Sequence, residues 1–322
     1  MFKKEITFID LFAGIGGFRI ALESFGGKCI FSSEIDNYAC TTYKANFGDM
    51  PAGDIIKIDA KDIPKHDILC GGFPCQAFSI SGNQMGFEDS RGTLFFEIAR
   101  IATYQKPKVL FLENVANLEK HLEGKTIERM VRIMEEIGYK VFHTTLNASK
   151  YGVPQARKRL YFVAFRVDLG VTEFNFPSPT NTDIALEDIL LPDKETEDYL
   201  IIRDDIVMKD IVIEQRQLKP IRIGTINKGG QGDRIYSPKG HAITLSAYGG
   251  GSGAKTGAYL VNGRIRKLAP KECRAVQGFP ENFIIPVSDS QAWKQFGNSV
   301  SVPVLKAIVN KITQIDQIYK ES

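Results

Sequence analysis

The residue whose setting most clearly favours chemistry is Cys75, in the run Gly71-Gly72-Phe73-Pro74-Cys75-Gln76-Ala77-Phe78-Ser79. The run follows a short apolar segment, Asp67-Ile68-Leu69-Cys70, which is typical of a buried strand. The paired glycines predict a sharp turn after this strand, and Pro74 fixes its own φ angle. A thiol at the carboxyl end of a strand lies where open α/β sheets place their reactive groups. A cysteine taken alone is more often a half-buried loop thiol, so other residues must show whether Cys75 is reactive.

A strand, a glycine turn and a helix follow one another near the start of the chain. Residues 6–12 are predicted to form a buried strand, Ala13-Gly14-Ile15-Gly16-Gly17 a tight turn, and residues 18–25 a helix. Such a turn lets the backbone approach a nucleotide-type cofactor closely. Its Gly-x-Gly-Gly spacing departs from the Gly-x-Gly-x-x-Gly of dinucleotide sites, which leaves room for a ligand without phosphates. A plain strand-to-helix turn explains the segment equally well.

Two acidic residues are suited to the nucleoside part of such a ligand. Glu34 ends the predicted strand 28–33, about 20 residues after the glycine turn, where ribose hydroxyls find an acceptor. Asp54 follows in the next strand-like region and is suited to an adenine amino group. Either acid taken alone is more often a solvated loop charge.

The alternation of predicted strands and helices indicates the fold class. Glu113-Asn114-Val115 ends the buried strand 108–112, and Gln155-Ala156-Arg157-Lys158-Arg159 precedes the strand 160–165. The helices 93–104 and 126–137 and the strand 139–146 complete the series. Together these elements predict an α/β fold with a doubly wound, mostly parallel sheet.

The pattern changes after about residue 186, and the later part of the chain is basic and rich in glycine. Residues 215–275 hold twelve Lys and Arg against two Asp and Glu, an excess of ten positive charges in a chain whose net charge is +3. Arg234, Tyr236 and Tyr248 lie among the glycines. Basic charge in flexible loops is a plausible nucleic-acid footprint, although a merely solvated basic face would look similar.

Composition narrows the class of protein. The 322 residues are 43% hydrophobic, which is enough for a sizeable core and indicates two domains. The five cysteines are odd in number and include no Cys-x-x-Cys pair, so they favour a reducing compartment over a disulfide framework or a zinc site. Neither a secretory apolar segment nor a run near the ~20 residues of a membrane helix is present. We expect a cytoplasmic protein without a metal.

Six ordered blocks give the chain its resemblance to a known family, the DNA (cytosine-5)-methyltransferases. The blocks are DLFAGIGGF at 10–18, GGFPCQAFS at 71–79, ENV at 113–115, QARKR at 155–159, QGFP at 277–280 and QFGNSV at 295–300. The resemblance implies a Rossmann-like S-adenosylmethionine-dependent domain and a smaller, glycine-rich, mainly β target-recognition domain. It divides the chain into a catalytic domain (1–187), a recognition domain (188–269), a hinge (270–297) and a return to the first domain (298–322).

Within the family the chain resembles the HhaI-type enzymes, which methylate the inner cytosine of GCGC. The resemblance lies in residues 229–251, GGQGDRIYSPKGHAITLSAYGGG, in the region that differs most between specificities. The block before Gln-Gly-Phe-Pro departs from the family's usual Pro-Arg-Glu-Cys-Ala-Arg, because it has Lys271 and Arg274-Ala275. Ile35 stands where relatives have an aromatic residue, so the apolar wall beside the adenine is expected to differ.

The resemblance also implies the role of each site residue. Cys75 adds to C6 of a flipped-out cytosine, a protonated Glu113 donates to N3, Arg159 binds O2, and Arg157 braces the site. The implied cofactor residues are Phe12, Gly14, Gly16, Glu34, Ile35, Asp54, Leu94 and Asn298. The implied DNA-binding residues are Ser81, Gln231, Arg234, Thr244, Tyr248, Gly249 and Gly251.

The implied partners are double-stranded DNA and, as a genetic partner only, a cognate restriction endonuclease; we expect a monomer. Two other interpretations remain open. One is an RNA cytosine-5 methyltransferase, which shares the fold and the catalytic blocks. The other is a sequence-specific DNA-binding protein without turnover. A nicotinamide oxidoreductase, compatible with the glycine turn alone, has no use for the Pro74-Cys75 loop or the basic segment.

Overall fold

The computed structural model of the chain describes residues 1–73, 94–180 and 182–320. In this part of the chain the larger sheet has six strands. They are β1 (Ile6–Leu11), β2 (Gly27–Ser33), β3 (Ile68–Gly72), β4 (Val109–Val115), β5 (Tyr139–Asn147) and β6 (Lys158–Arg166). The helices are α1 (Gly17–Glu23), α2 (Asn37–Phe47), α3 (Leu94–Gln105), α4 (Lys125–Glu136), α5 (Pro270–Val276), α6 (Asp289–Asn298) and α7 (Val302–Ile312).

The larger sheet is mostly parallel, as predicted. Its strand order is β2-β1-β3-β4-β6-β5, and the pairs from β2 to β4 are parallel. Strand β6 runs antiparallel to both of its neighbours. It therefore begins at the edge of the sheet where β4 ends, and its first residues lie beside the last residues of β4.

Both faces of this sheet are covered by helices, because the central strands are apolar at nearly every position. Residues 109–112 of β4 are fully buried. One face packs on α1 and α7 through side chains such as Phe111 and Leu305, and the other packs on α3 and α4 through Leu110 and Met130. Strands buried on both faces read as continuous apolar runs. The C-terminal helix α7 thus packs on the larger sheet.

A smaller, five-stranded sheet follows in the chain. Its strands are β7 (Ile206–Met208), β8 (Ile221–Ile226), β9 (Arg234–Ser237), β10 (Ala258–Val261) and β11 (Arg264–Arg266). The order is β11-β10-β9-β8-β7, with β9 and β10 parallel and the other pairs antiparallel. Isoleucines of β8 and β9 form its own small core. Among the described helices none is long and apolar enough to cross a membrane.

A buried ion pair stabilises the junction that follows the smaller sheet. Arg266 and Glu272 are 1% and 0% exposed, and two hydrogen bonds of 2.8 Å join the guanidinium to the carboxylate. The same carboxylate accepts hydrogen bonds from the backbone N–H groups of Leu191 and Ala269. The pair therefore ties β11 to α5 and to residue 191. Lys271, which departs from the family pattern, lies outside it and faces Glu195 across 3.6 Å at the surface.

We expect Glu272→Ala to lower the free energy of unfolding by about 3–5 kcal/mol, because it leaves the Arg266 charge buried and uncompensated. Urea unfolding followed by circular dichroism measures this change. The matched control is Lys271→Ala on the adjacent residue, whose exposed ion pair contributes little. Equal effects of the two substitutions would contradict the assignment.

Candidate active site

One cavity of about 610 Å³ lies at the carboxyl edge of the larger sheet. Phe73 and Leu94, the described residues on either side of residues 74–93, both line it. Eleven of the predicted site residues also line it, namely Phe12, Gly14, Glu34, Ile35, Asp54, Leu94, Glu113, Arg157, Arg159, Tyr248 and Asn298. The structure thus brings predicted cofactor residues and predicted catalytic residues to one place. Cys75 and Ser81 lie outside the described residues.

The glycine turn at the floor of the cavity holds an unusual backbone. Phe12, which is not a glycine, has a φ of 54°, a conformation that costs a non-glycine residue about 1 kcal/mol or more. Gly14 (φ 55°) lines the cavity, but Gly16 (φ 84°) does not. A Cβ at Gly16 would collide with the ring of Phe47. Gly16 therefore allows the turn to pack on α2, a contact that the local sequence pattern did not reveal.

Three backbone donors orient the carboxylate of Glu34. Its Oε2 accepts a hydrogen bond of 2.8 Å from Gly14 N, and its Oε1 accepts bonds of 2.8 Å from the N–H groups of Ile35 and Asp36. A carboxylate has about four acceptor sites, so Oε2 retains one. Glu34 is thus a fixed acceptor that lines the cavity, and one lone pair of Oε2 makes no bond to a described residue.

The rim of the cavity differs in part from the sequence prediction. Asp54 is not next to a strand; its Oδ1 caps a single helical turn by accepting a bond of 3.1 Å from Ile56 N. Ile35 is 71% exposed at the rim. Sequence reasoning missed Lys294, whose Nζ lies 2.6 Å from Oδ2 of Asp36. A lone lysine in an amphipathic helix gives no signal of this contact, although Asp36 shows the pattern of a helix N-cap.

A buried acid and a guanidinium face the same cavity. Oε1 of Glu113 lies 3.0 Å from Nε of Arg159, yet that oxygen makes no hydrogen bond to any described residue. Burial raises the pKa of the Glu113 carboxyl, and the charges of Arg159 and Arg157 oppose the rise only in part. Gly72 makes room for the carboxyl, since a Cβ there would lie 3.3 Å from Oε2. Glu113 is therefore suited to hold a proton and donate it to a ligand.

The register of β4 and β6 explains why these two side chains meet. Val115 lies opposite Arg159, and Glu113 lies opposite Tyr161, two positions away. Residues two positions apart on paired strands point to the same face of the sheet and lie within reach of long side chains. The antiparallel direction of β6 is therefore what brings Arg159 to the end of β4.

Arg157 is buried and binds backbone carbonyls from two distant parts of the chain. It donates hydrogen bonds to Leu245 O (3.1 Å), Gly297 O (3.3 Å) and Ser299 O. Gln155, two residues earlier, accepts a bond of 3.1 Å from Leu245 N. The block Gln155 to Arg157 thus joins the larger sheet to Leu245 and to residues 297–299.

The predicted DNA-binding residues that the structure describes lie outside the cavity, except Tyr248 at its rim. Tyr248 is 75% exposed. Gln231 begins a helical turn that leads into β9, and Arg234 is the first residue of that strand. The hydroxyl of Thr244 donates a bond of 2.5 Å to Ala156 O, so it is engaged at the junction.

Comparisons with known proteins identify the family to which the chain belongs. The sequence profile described as C-5 cytosine-specific DNA methylase matches residues 6–314. The chain belongs to this family. It is 55% identical to the type II methyltransferase M.HhaI of Haemophilus parahaemolyticus over 96% of this chain and 95% of that protein. It is 43% identical to M.HpaII of Haemophilus parainfluenzae over 97% and 90% of the respective chains.

Solved structures show the same fold at low sequence identity. Dnmt2 methyltransferase of S. pombe superposes with a TM-score of 0.73 at 19% identity, over 94% of this chain and 97% of that one. A putative DNA modification methyltransferase encoded in an E. coli prophage gives a TM-score of 0.70 at 20% identity, over 96% and 99%. The Rossmann-like methyltransferase fold predicted from the sequence is therefore confirmed.

As a member of this family, the protein is a DNA (cytosine-5)-methyltransferase, and the cavity is its candidate active site. A buried acid that keeps a proton can donate to a ring nitrogen, and a neighbouring guanidinium can bind a carbonyl oxygen. The described residues contain no group of three or more His, Cys, Asp or Glu side chains that could hold a metal ion.

The raised pKa of Glu113 predicts how stability changes with pH. Because the folded state holds this proton more tightly than the unfolded state, its stabilising contribution is complete below the unfolded pKa of about 4.3 and is lost as pH rises through the folded pKa. Glu113→Gln has no such loss. We expect the free energy of unfolding of the wild type, relative to this variant, to fall as pH rises from 4 to 8 in urea titrations. A relative rise would mean that attraction to Arg159 outweighs burial.

Proposed function

We propose that this methyltransferase modifies the inner cytosine of GCGC in double-stranded DNA. It uses S-adenosylmethionine and a flipped-out base, as the modification half of a restriction-modification system. The observation that carries the proposal is the shared cavity, in which the fixed acceptor Glu34 and the ion pair of Glu113 and Arg159 face one space. The resemblance of residues 229–251 to the HhaI-type enzymes and the 55% identity to M.HhaI support the choice of sequence.

The residues around the glycine turn fit a nucleoside cofactor without phosphates. In dinucleotide sites the backbone N–H groups of this turn bind the pyrophosphate. Here Gly14 N already donates to Glu34, which leaves one donor fewer for a phosphate. The remaining lone pair of Glu34 suits a ribose hydroxyl, and the free oxygen of Asp54 suits an adenine amino group. Phe12, Ile35, Leu94 and Asn298 complete the cavity wall.

S-adenosylmethionine, when bound, supplies an electrophilic methyl group. In the proposed mechanism the thiolate of Cys75 forms a bond to C6 of cytosine, which makes C5 nucleophilic. Glu113 donates its proton to N3, and Arg159 donates to O2, so that both stabilise the electrons pushed into the ring. Once C5 carries the methyl group, a general base takes the C5 proton, the C5–C6 double bond re-forms and the Cys75 thiolate is expelled, while N3 returns its proton to Glu113. The position of Phe73 in the cavity wall, two residues before Cys75, supports this assignment.

We assign Arg157 a positioning role. Its three hydrogen bonds run to backbone carbonyls, which supports a brace between the catalytic sheet and the recognition segment. Removing the guanidinium would leave three carbonyls without this partner, and buried unpaired carbonyls are costly.

The smaller sheet and its loops are proposed to recognise DNA. A target base inside a duplex is out of reach, so it must flip out, at a cost of a few kcal/mol. Gln231 and Ser81 are proposed to fill the vacated space. Arg234, Tyr248 and the backbone at Gly249 and Gly251 are proposed to read base edges, since arginine pairs well with guanine. A phosphate contact by the Thr244 hydroxyl requires its bond to Ala156 to break.

The proposal extends to assembly and to cellular context. A monomer is proposed as the active form. A cognate restriction endonuclease is proposed as a genetic partner only, in the bacterial cytoplasm. The relatives named as type II methyltransferases support this context.

We expect the purified protein with S-adenosylmethionine to methylate plasmid DNA at the inner cytosine of GCGC, and Cys75→Ser to abolish methylation, because serine cannot supply a thiolate. Bisulfite sequencing reads both results. Methylation at other sequences would overturn the proposed specificity alone. Methylation by the serine variant would overturn Cys75 as the nucleophile, and transfer to tRNA in place of DNA would favour an RNA substrate.

A matched pair of aspartates tests the cofactor assignment. Asp54 and Asp59 each accept a bond of 3.1 Å from the N–H two residues later, but of the two only Asp54 lines the cavity. Asp54→Ala and Asp59→Ala should therefore lose the same capping bond. We expect Asp54→Ala alone to weaken S-adenosylmethionine binding, by about tenfold, as measured by isothermal titration calorimetry. Equal affinities of the two variants would remove Asp54 from the cofactor site.

A further inference from the structure

Two glycine-rich loops of the smaller domain touch backbone to backbone. We call residues 227–233 the first loop and residues 249–253 the second loop. A Cβ on Gly232 would collide with the carbonyl oxygen of Gly250 and lie 2.9 Å from its carbonyl carbon. Gly253 N donates a hydrogen bond of 2.8 Å to Gly232 O. The contact leaves no room for a side chain at position 232.

The carboxylate of Asp233 adds a hydrogen bond between the two loops. Its Oδ1 accepts a hydrogen bond of 2.8 Å from Ser252 N. Gly251, with a φ of +90°, passes so near that a Cβ there would lie 2.7 Å from the same oxygen. An acceptor on the first loop is thus bound to a backbone donor on the second.

The position of this acid in the sequence is unusual. Between residues 215 and 271 Asp233 is the single acidic residue, among eleven Lys and Arg. A carboxylate on a surface that meets phosphates repels them, which weakens binding. Its presence therefore requires a compensating contact, and the bond to Ser252 N is such a contact.

We propose that Asp233 is a positioning residue for target recognition, which holds the two loops at a fixed separation. Gln231 precedes the contact on the first loop, Arg234 follows it as the first residue of β9, and Gly249 and Gly251 lie on the second loop. The bond makes the two loops one surface, so that both meet the same DNA site in register. The proposal rests on the proposed reading of DNA by these loops.

A direct contact between Asp233 and a cytosine amino group is the competing role, since acids accept from that group. The two roles predict different effects when the carboxylate of Asp233 is replaced by an amide. Asp233→Asn keeps an oxygen that accepts from Ser252 N and therefore preserves the hydrogen bond between the two loops. A direct reader loses discrimination at its own base pair alone.

The test compares methyl transfer to a duplex containing GCGC with transfer to three duplexes, each changed at one base other than the target. The variants are Asp233→Ala, Asp233→Asn, Gly232→Ala and Gly230→Ala, with cofactor affinity measured for each. Gly230 is the matched control, because a Cβ there would lie 3.7 Å from Asp233 Oδ2, an ordinary contact. We expect Asp233→Ala and Gly232→Ala to lose about tenfold in discrimination at more than one position. The Asn and Gly230 variants should resemble the wild type, and all four should bind cofactor normally.

Three results would contradict the proposed positioning role of Asp233. They are unchanged discrimination in Asp233→Ala, loss at the same single base pair in both Asp233 variants, and loss of cofactor affinity in Asp233→Ala, which would indicate general support of the fold. Failure of the proposed function is visible separately, in the wild type. If the wild type prefers a sequence other than GCGC, the same variants are compared on that sequence and its one-base changes.

Discussion

The buried guanidinium of Arg157 is the contact on which the arrangement of the site depends. It binds the backbone of Leu245, Gly297 and Ser299, while its own backbone leads into β6. A planar guanidinium holds five donors in a fixed geometry, which the single flexible ammonium of a lysine does not. The segment 297–299 packs so closely that a side chain at Gly297 would collide with the backbone of Ser246 and Ala247. The cavity wall is therefore completed by residues that are distant in sequence.

The antiparallel direction of β6 determines which residues lie beside Glu113 in the cavity. In a purely parallel sheet, the carboxyl edge is reached only by the ends of strands and the loops after them. Because β6 runs the other way, its start lies at that edge, and the arginines of the Gln-Ala-Arg-Lys-Arg block lie beside the acid that β4 carries. The acid and its partner are thus held by paired strands, and rigid elements position side chains better than loops do.

The sequence predicted what depends on local pattern. Glu34 was predicted because a buried strand ends next to it, and the mostly parallel sheet followed from apolar runs between helices, whereas Glu113 was predicted from the resemblance of the ENV block. Contacts between distant segments were not predictable: neither Lys294 with Asp36 nor Arg266 with Glu272 is indicated by the local sequence around either partner. Asp54 was misplaced because two isoleucines after an acid are equally compatible with a short strand and a capped turn.

Oε1 of Glu113 lies 3.0 Å from Nε of Arg159 but makes no hydrogen bond to any described residue. A buried oxygen that makes no hydrogen bond costs about 1–3 kcal/mol, and the charge of Arg159 offsets part of that cost. The same desolvation raises the pKa of the carboxyl, so the energetic cost and the tighter hold on a proton have one cause. A ring nitrogen that accepts this proton would remove the cost at the moment of binding. In the proposed mechanism a base with an acceptor at that position removes this desolvation cost, whereas a base without one leaves it in place. Under that proposal discrimination begins inside the cavity, before the loops of the smaller sheet contact the neighbouring bases.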